Sequence, residues 1–389
     1  METIHRLWLQ RLLILAAIGL LAAIYYSPIW WVSLTAPNYP KESFPDGVRI
    51  HFHMNGVFNG CKAVQKEELA EQEALDCVHE MDTINHYVGM YPIAAGGVVE
   101  KAYSQFLMVL LGIMLVGFLC NRPRRRLVLM GSACAALAVW MALAWYGENG
   151  IRYENTGYVK ALVHALSLDM EKEDTDLPGG GSAIIERLKQ SLAASGVALE
   201  DEHEASGEIR SKEDMIAFLR SSFEAYQRRK PPAERQTWHG SVRQVMAWHY
   251  EKTLGRYFNE PERIRPMVGT MTVVGDLVFW GVLAAMLVLL WGARRGRGLL
   301  YWLMILVPMA LPVFFLIEYA GWLWWYGHNL NEMGAFTVKP FMPTVFGDGK
   351  VAQFTTHSYP HYGFGLMLLF SALLAAAAVL RRQDATEAG

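Results

Sequence analysis

The histidines at positions 51 and 53 are the first side chains here whose type and spacing suggest chemistry. Residues 48–54 alternate in a strand-like way after the turn-forming Pro45-Asp46-Gly47, and a period of two puts both imidazoles on one face, able to chelate one metal ion. Solvated histidines on an exposed strand account for the same pair. Residues 79–90 read as the start of a helix with Asp82 at its N-cap, which sets His86 and Met90 four residues apart on one face. Imidazole plus thioether suits copper(I), because soft sulfur selects that ion. An ordinary packed helix with a hydrogen-bonded histidine explains them equally. His328, Met333, Met342, His357 and His361 repeat the two ligand types near the C-terminus, and Met54 and Met81 add thioethers. Cys61 and Cys77 fit a disulfide in an oxidising compartment or a pair of thiolate ligands. Asp276 and Glu318 lie within apolar runs, where a carboxylate is a functional hypothesis in itself. Each counts to about 10 Å or less from the outer end of its run at ~1.5 Å per residue. They are therefore expected near the same surface, to share a proton, support a ligand histidine or pair helices.

The elements that must position these groups are helices in a bilayer. Of 389 residues, 53% are apolar and 19% charged, and the apolar ones gather in runs at 12–31, 104–120, 127–147, 268–293, 299–326 and 362–380. Crossing the hydrocarbon takes roughly 20 residues of helix, so only the second run is marginal. The first follows Arg6 and Arg11, but it is too long for a signal peptide and ends in Tyr25, Tyr26, Trp30 and Trp31, an expected interfacial belt. Arginines cluster at the N-terminus, at Arg122, Arg124, Arg125 and Arg126, at Arg294, Arg295 and Arg297, and at Arg381 and Arg382. All four clusters share the cytoplasmic side only if every run crosses and the number of spans is even.

The expected fold class is therefore an all-α membrane protein of six transmembrane helices with extracytoplasmic loops and a small inserted helical domain. Residues 1–31 form the cytoplasmic N-terminus and span 1, 32–103 the first outer loop, and 104–147 spans 2 and 3. Residues 148–267 form an outer helical domain, 268–326 spans 4 and 5, 327–361 the third outer loop, and 362–389 span 6 and a cytoplasmic tail. Every histidine but His5 then lies outside. The helical domain carries the acidic patch Asp169, Glu171, Glu173, Asp174 and Asp176, a glycine-rich linker at 178–182, a capping box of Ser211 with Asp214, and a helix over about 232–258. Cys120 and Cys134 read as small apolar residues of the spans.

Absences narrow the function. With a net charge of -2 and basic clusters explained by topology, nothing points to nucleic acid. No Cys-x-x-Cys-His motif and no mid-span histidine is available for haem, and no P-loop lysine motif for ATP. Pro308 and Pro312 kink the fifth run, yet no polar midplane group of the kind transporters use accompanies them.

Several segments resemble a family of multi-span bacterial membrane proteins encoded near copper-handling and nitrous-oxide-reductase maturation genes. Ala36-Pro37-Asn38-Tyr39-Pro40 is similar to its APxYPEGL start, and Ile84-Asn85-His86-Tyr87-Val88-Gly89-Met90 to its INxLNHYIGM segment. Tyr326-Gly327-His328-Asn329-Leu330, Pro340-Phe341-Met342, Phe346-Gly347, Phe354 and Ser358-Tyr359-Pro360 resemble its DYGHNLDP, VPGM, LIG, NF and SYP run. Glu318 and Trp322 fall where it tends to have an acid and a tryptophan. The likeness covers roughly residues 20–150 and 316–380, and departs from the pattern at Asn331 and Glu332. It implies copper delivery or cupro-enzyme assembly from the bacterial inner membrane, with a periplasmic cupro-enzyme or copper chaperone and membrane lipid as partners. By that match His86, Met90, His328 and Met342 would hold copper with Glu318 as a supporting acid. His51 and His53, which are not part of the family pattern, would form a second or receiving site, and Asp276, outside the matched ranges, would be a further supporting acid. A membrane metalloenzyme with a redox copper site, and a metal-free assembly scaffold, are the alternatives.

Overall fold

The computed structural model describes residues 2–62, 75–175, 211–295, 298–351 and 353–387. Five helices are long and apolar enough to cross a bilayer: α1 (Glu2–Tyr26), α3 (Val98–Leu119), α4 (Pro123–Trp145), α8 (Pro261–Arg295) and α11 (Tyr362–Glu387). A sixth crossing is made if α9 (Leu299–Met309) and α10 (Leu311–His328), bent by 63° at Ala310, count as one span. The chain is a mostly helical membrane protein. Side chains such as Leu277, Leu287 and Ile317 turn outward, as a lipid-facing surface requires.

The marginal second run proves to be the innermost helix. Two thirds of the apolar window of α3 is buried, against 28% in each of the other four spans. A helix enclosed by protein can afford Glu100, Lys101, Ser104 and Gln105 in its first turns, and those residues are what weaken its hydropathy signal. At the far end of α3, the buried Arg126 guanidinium donates to the carbonyls of Cys120 and Ala293 (Nε 3.0 Å and Nη2 2.7 Å; Nη1 3.2 Å). Arg381 donates to Tyr301 and Asn121 at the same end. Three of the basic clusters, around 122–126, 294–295 and 381–382, thus gather at one end of the bundle.

The other end carries a five-stranded antiparallel sheet, so the expectation of an all-α chain is corrected. Its order is β3-β2-β1-β5-β4, formed by β1 (Trp30–Thr35), β2 (Val48–His53), β3 (Gly56–Asn59), β4 (Gly347–Val351) and β5 (Phe354–Pro360). β1 leaves α1 after three residues and β5 leads into α11, so two paired strands stand on two paired helices. Trp30 is only 2% exposed and gives its indole N–H to Ser358 Oγ at 2.9 Å. It belongs to the core beneath the sheet and not to an interfacial belt. Short strands beside long apolar helices escape hydropathy, because their inward residues simply extend the run.

The helical segment between spans packs against this sheet. α5 (Thr156–Thr175) touches β3, Asn55 Nδ2 donates to Asn155 Oδ1 at 3.3 Å, and the Tyr257 hydroxyl lies 3.2 Å from His79 Nδ1. α6 (Lys212–Arg229) begins with the expected capping box of Ser211 and Asp214. The helix expected over 232–258 is shorter: a single 3-10 turn at Pro232–Glu234 precedes α7 (Val242–Gly255), because Pro231 and Pro232 leave the entering chain extended. The linker at 178–182 lies outside the described residues.

α2 (Cys77–Tyr87) holds the first motif. Its N-cap is Asp76, which accepts from Val78 N at 3.0 Å and His79 N at 3.3 Å, and not Asp82. Gly89, at φ +82°, ends the helix, with its N–H on His86 O and that of Met90 on Asn85 O. Met90 therefore lies beyond the helix, and the expected shared helical face with His86 does not form. Cys61 and Cys77 are joined by a disulfide.

Candidate functional site

Between α3, α8, α9 and α10 lies a cavity of about 530 Å³, within the range of small-molecule sites. Its walls in the bundle are apolar: Leu107, Leu111 and Met114 from α3, Val288 and Leu289 from α8, Leu303 and Val307 from α9, Phe314 from α10. The bend at Ala310 makes this room. Pro312 cannot continue the hydrogen-bond ladder, and Ser371 Oγ donates to the Met309 carbonyl at 2.7 Å, so the break is stabilised from α11.

At the end nearest the sheet the walls become polar, where Glu100, Lys101 and Glu318 meet His53, Trp322 and Tyr326. Both acids lie close to Gly97: a Cβ there would sit 3.6 Å from Glu318 Oε1 and 3.9 Å from Glu100 Oε2, in ordinary contact with each. Glu100 Oε1 accepts from Trp322 Nε1 at 3.3 Å, whereas its Oε2 is buried without a hydrogen-bond donor. Glu318 is exposed to the cavity. Lys101 turns away, donating to the Ala94 carbonyl at 2.6 Å.

Lys101 also lines a small second cavity with Asp82, His164, His249 and Arg256. Burial pushes the Asp82 carboxyl up to about 7, although it accepts from Ile93 N at 2.7 Å. Burial also holds His249 down to about 3, and the bond to Asp76 (Nε2–Oδ2 3.3 Å) raises His164.

Asp276 has a different setting. It accepts from Trp145 Nε1 and Tyr146 Oη, both at 3.0 Å, and from Arg243 through Nε and Nη2, both at 2.9 Å. This carboxylate is satisfied by α4 and α7, and it ties them to α8.

His51 and His53 share a face of β2 as expected. Their rings are joined there by His361, whose centroid is 5.0 Å from that of His51. Burial, then Arg49 and the neighbouring histidines, lowers His51 to about 4; burial and then His361 lower His53 to about 4. Neutral imidazole is the metal-binding form. Among the described residues, no group of three or more histidine, cysteine or acidic side chains is arranged to hold a metal ion.

The remaining ligand residues are placed separately. His86 packs against Tyr257 and Phe258, at centroid distances of 5.3 and 4.6 Å. Met90 is buried beside Val32, Met81 and Phe341. His328 stacks on Trp324 and bonds its carbonyl at 2.8 Å; Met333 and Met342 are exposed. His357 Nδ1 lies 2.7 Å from Asp348 Oδ1. What the two motif segments do share is backbone: Asn331 N donates to Gly89 O at 2.7 Å and Phe336 N to Tyr87 O at 3.0 Å.

Glu100 and Lys101 are the site residues that sequence reasoning missed. Their signal was a charged pair separated from Gly96-Gly97 by two valines, at the start of an apolar run. No protein-family model matches this chain, and comparison with curated proteins and with solved structures returns no match.

Proposed function

We propose that this membrane protein binds an amphiphile drawn from the bilayer, its tail in the apolar cavity and its head at Glu100 and Glu318. One observation carries the reading: a cavity of about 530 Å³ that is apolar along its length ends at two carboxylates, one of which has a buried oxygen without a donor. An acid at membrane depth is costly unless it has a partner, and a bound head group supplies one. Native mass spectrometry of the protein released from lipid tests this. Wild type is expected to retain a lipid-sized adduct, and Val307→Trp, which fills the tail channel, to lose it. Equal retention by both proteins would sink the idea.

A second reading, a membrane-anchored copper-binding accessory protein for delivery to or assembly of a cupro-enzyme, is favoured by the contact of His51 with His361. In it His51, His53 and His361 would receive copper(I) on the outer face of the bacterial inner membrane, with His86, Met90, His328 and Met342 as the set the family likeness implies. Competition with a copper(I) chelator decides. Binding is expected to weaken at least tenfold in His51→Ala, and unchanged binding in both His51→Ala and His86→Ala removes the copper reading.

A further inference from the structure

Building on the amphiphile reading, we propose that the occupant is a quinol-type lipid, an aromatic ring bearing two hydroxyls on a long hydrocarbon tail, whose hydroxyls donate to Glu100 and Glu318. The head end offers acceptors. Glu100 Oε2 is buried without a donor, and Glu318 faces the same space across Gly97. Lys101 is the only cation lining the cavity among the described residues, and its ammonium is bonded to the Ala94 carbonyl. A phosphate head would therefore meet two carboxylates with no cation turned toward it, a like-charge contact that is strongly unfavourable away from water. A neutral head with hydroxyl donors meets no such repulsion, and hydrogen bonds to carboxylates are the stronger kind.

The shape of the head follows from the rings around it. Phe315, Tyr319, Trp322 and Tyr326 line this end of the cavity. Trp322 is fixed beside the carboxylate by its own bond to Glu100. Aromatic walls favour a flat aromatic guest through offset or edge contacts. The tail follows from α3: fourteen residues separate Glu100 from Met114, roughly 20 Å of helix at ~1.5 Å per residue. That depth takes a long hydrocarbon chain, and the residues lining it are apolar.

The test uses the full-length protein in nanodiscs, under anaerobic conditions, titrated with a short-tailed quinol and with its quinone while tryptophan fluorescence is followed. The quinone has the same carbon skeleton and tail, with two carbonyls in place of the hydroxyl donors. We expect the quinol to bind about tenfold more tightly, the size of one charge-assisted hydrogen bond. Glu318→Gln should lose most of that preference, and Val307→Trp should weaken both ligands. Equal affinity for quinol and quinone in wild type overturns the proposal, and this comparison requires no variant to fold. If the protein instead retains a phospholipid that Val307→Trp releases, the quinol assignment falls and the amphiphile reading stands. If Val307→Trp changes no lipid retention, both fall.

Discussion

A carboxyl sealed in protein keeps its proton to a higher pH than one in water, and Asp82 is such a group, buried and held to about 7. In the unfolded chain it ionises near the ordinary value of ~3.9. Between those two values the folded state holds a proton that the unfolded state has lost, so stability falls as pH rises through this window and levels off above it. Asp82→Asn keeps an oxygen for Ile93 N and cannot ionise. We expect the variant to match wild type near pH 4 and to exceed it at pH 8, by on the order of a few kcal/mol for a shift of this size. Chemical denaturation at the two pH values checks it; a gap that does not change with pH would rule out Asp82 as the titrating group. The same residue shows how far single positions were legible. Its acid and its place before the first motif suggested a cap, but burial, which no local spacing reports, gave it another role.

Elements were readable where one physical signal dominated. Period two exposed β2, and the Ser211–Asp214 pair marked the start of α6. Hydropathy found all six runs, including the bent fifth, whose prolines announced its break. β1 and β5 stayed hidden because they are short, adjoin apolar helices, and pair with each other across more than 300 residues, a partnership set only by the packing of α1 on α11. Hidden for the same reason was the cavity head. Glu100 belongs to α3, Glu318 to α10 and His53 to β2, so no sequence window contains two of these elements. The motif segments were visible as segments, while their joint work was not. Gly89 bonds to Asn331 in a left-handed conformation, and a Cβ there would lie 2.5 Å from the Asn331 carbonyl oxygen. That glycine forms the seam between α2 and the segment after α10.

At the scale of the whole molecule, the bundle has two chemically distinct ends, and this decides which compartment can reach each candidate site. Arg126 and Arg381 knit α3, α4, α8, α9 and α11 together at one end; the sheet, the disulfide and the histidine face occupy the other. Positive residues are retained on the cytoplasmic side, and a disulfide persists in an oxidising compartment, so the sheet is expected to face outside. Cysteine labelling tests this in intact cells. With Cys120 and Cys134, the two free thiols among the described residues, replaced by alanine, Glu148→Cys at the sheet end and Arg124→Cys at the basic end each provide an exposed thiol. An impermeant maleimide is expected to label position 148 at once and position 124 only after the membrane is opened. Reversed labelling would turn the histidine face to the cytoplasm, where copper exchange with a periplasmic partner is impossible. The amphiphile proposal would survive that reversal, because the apolar cavity lies in the bundle, but the head group would then be drawn from the inner leaflet.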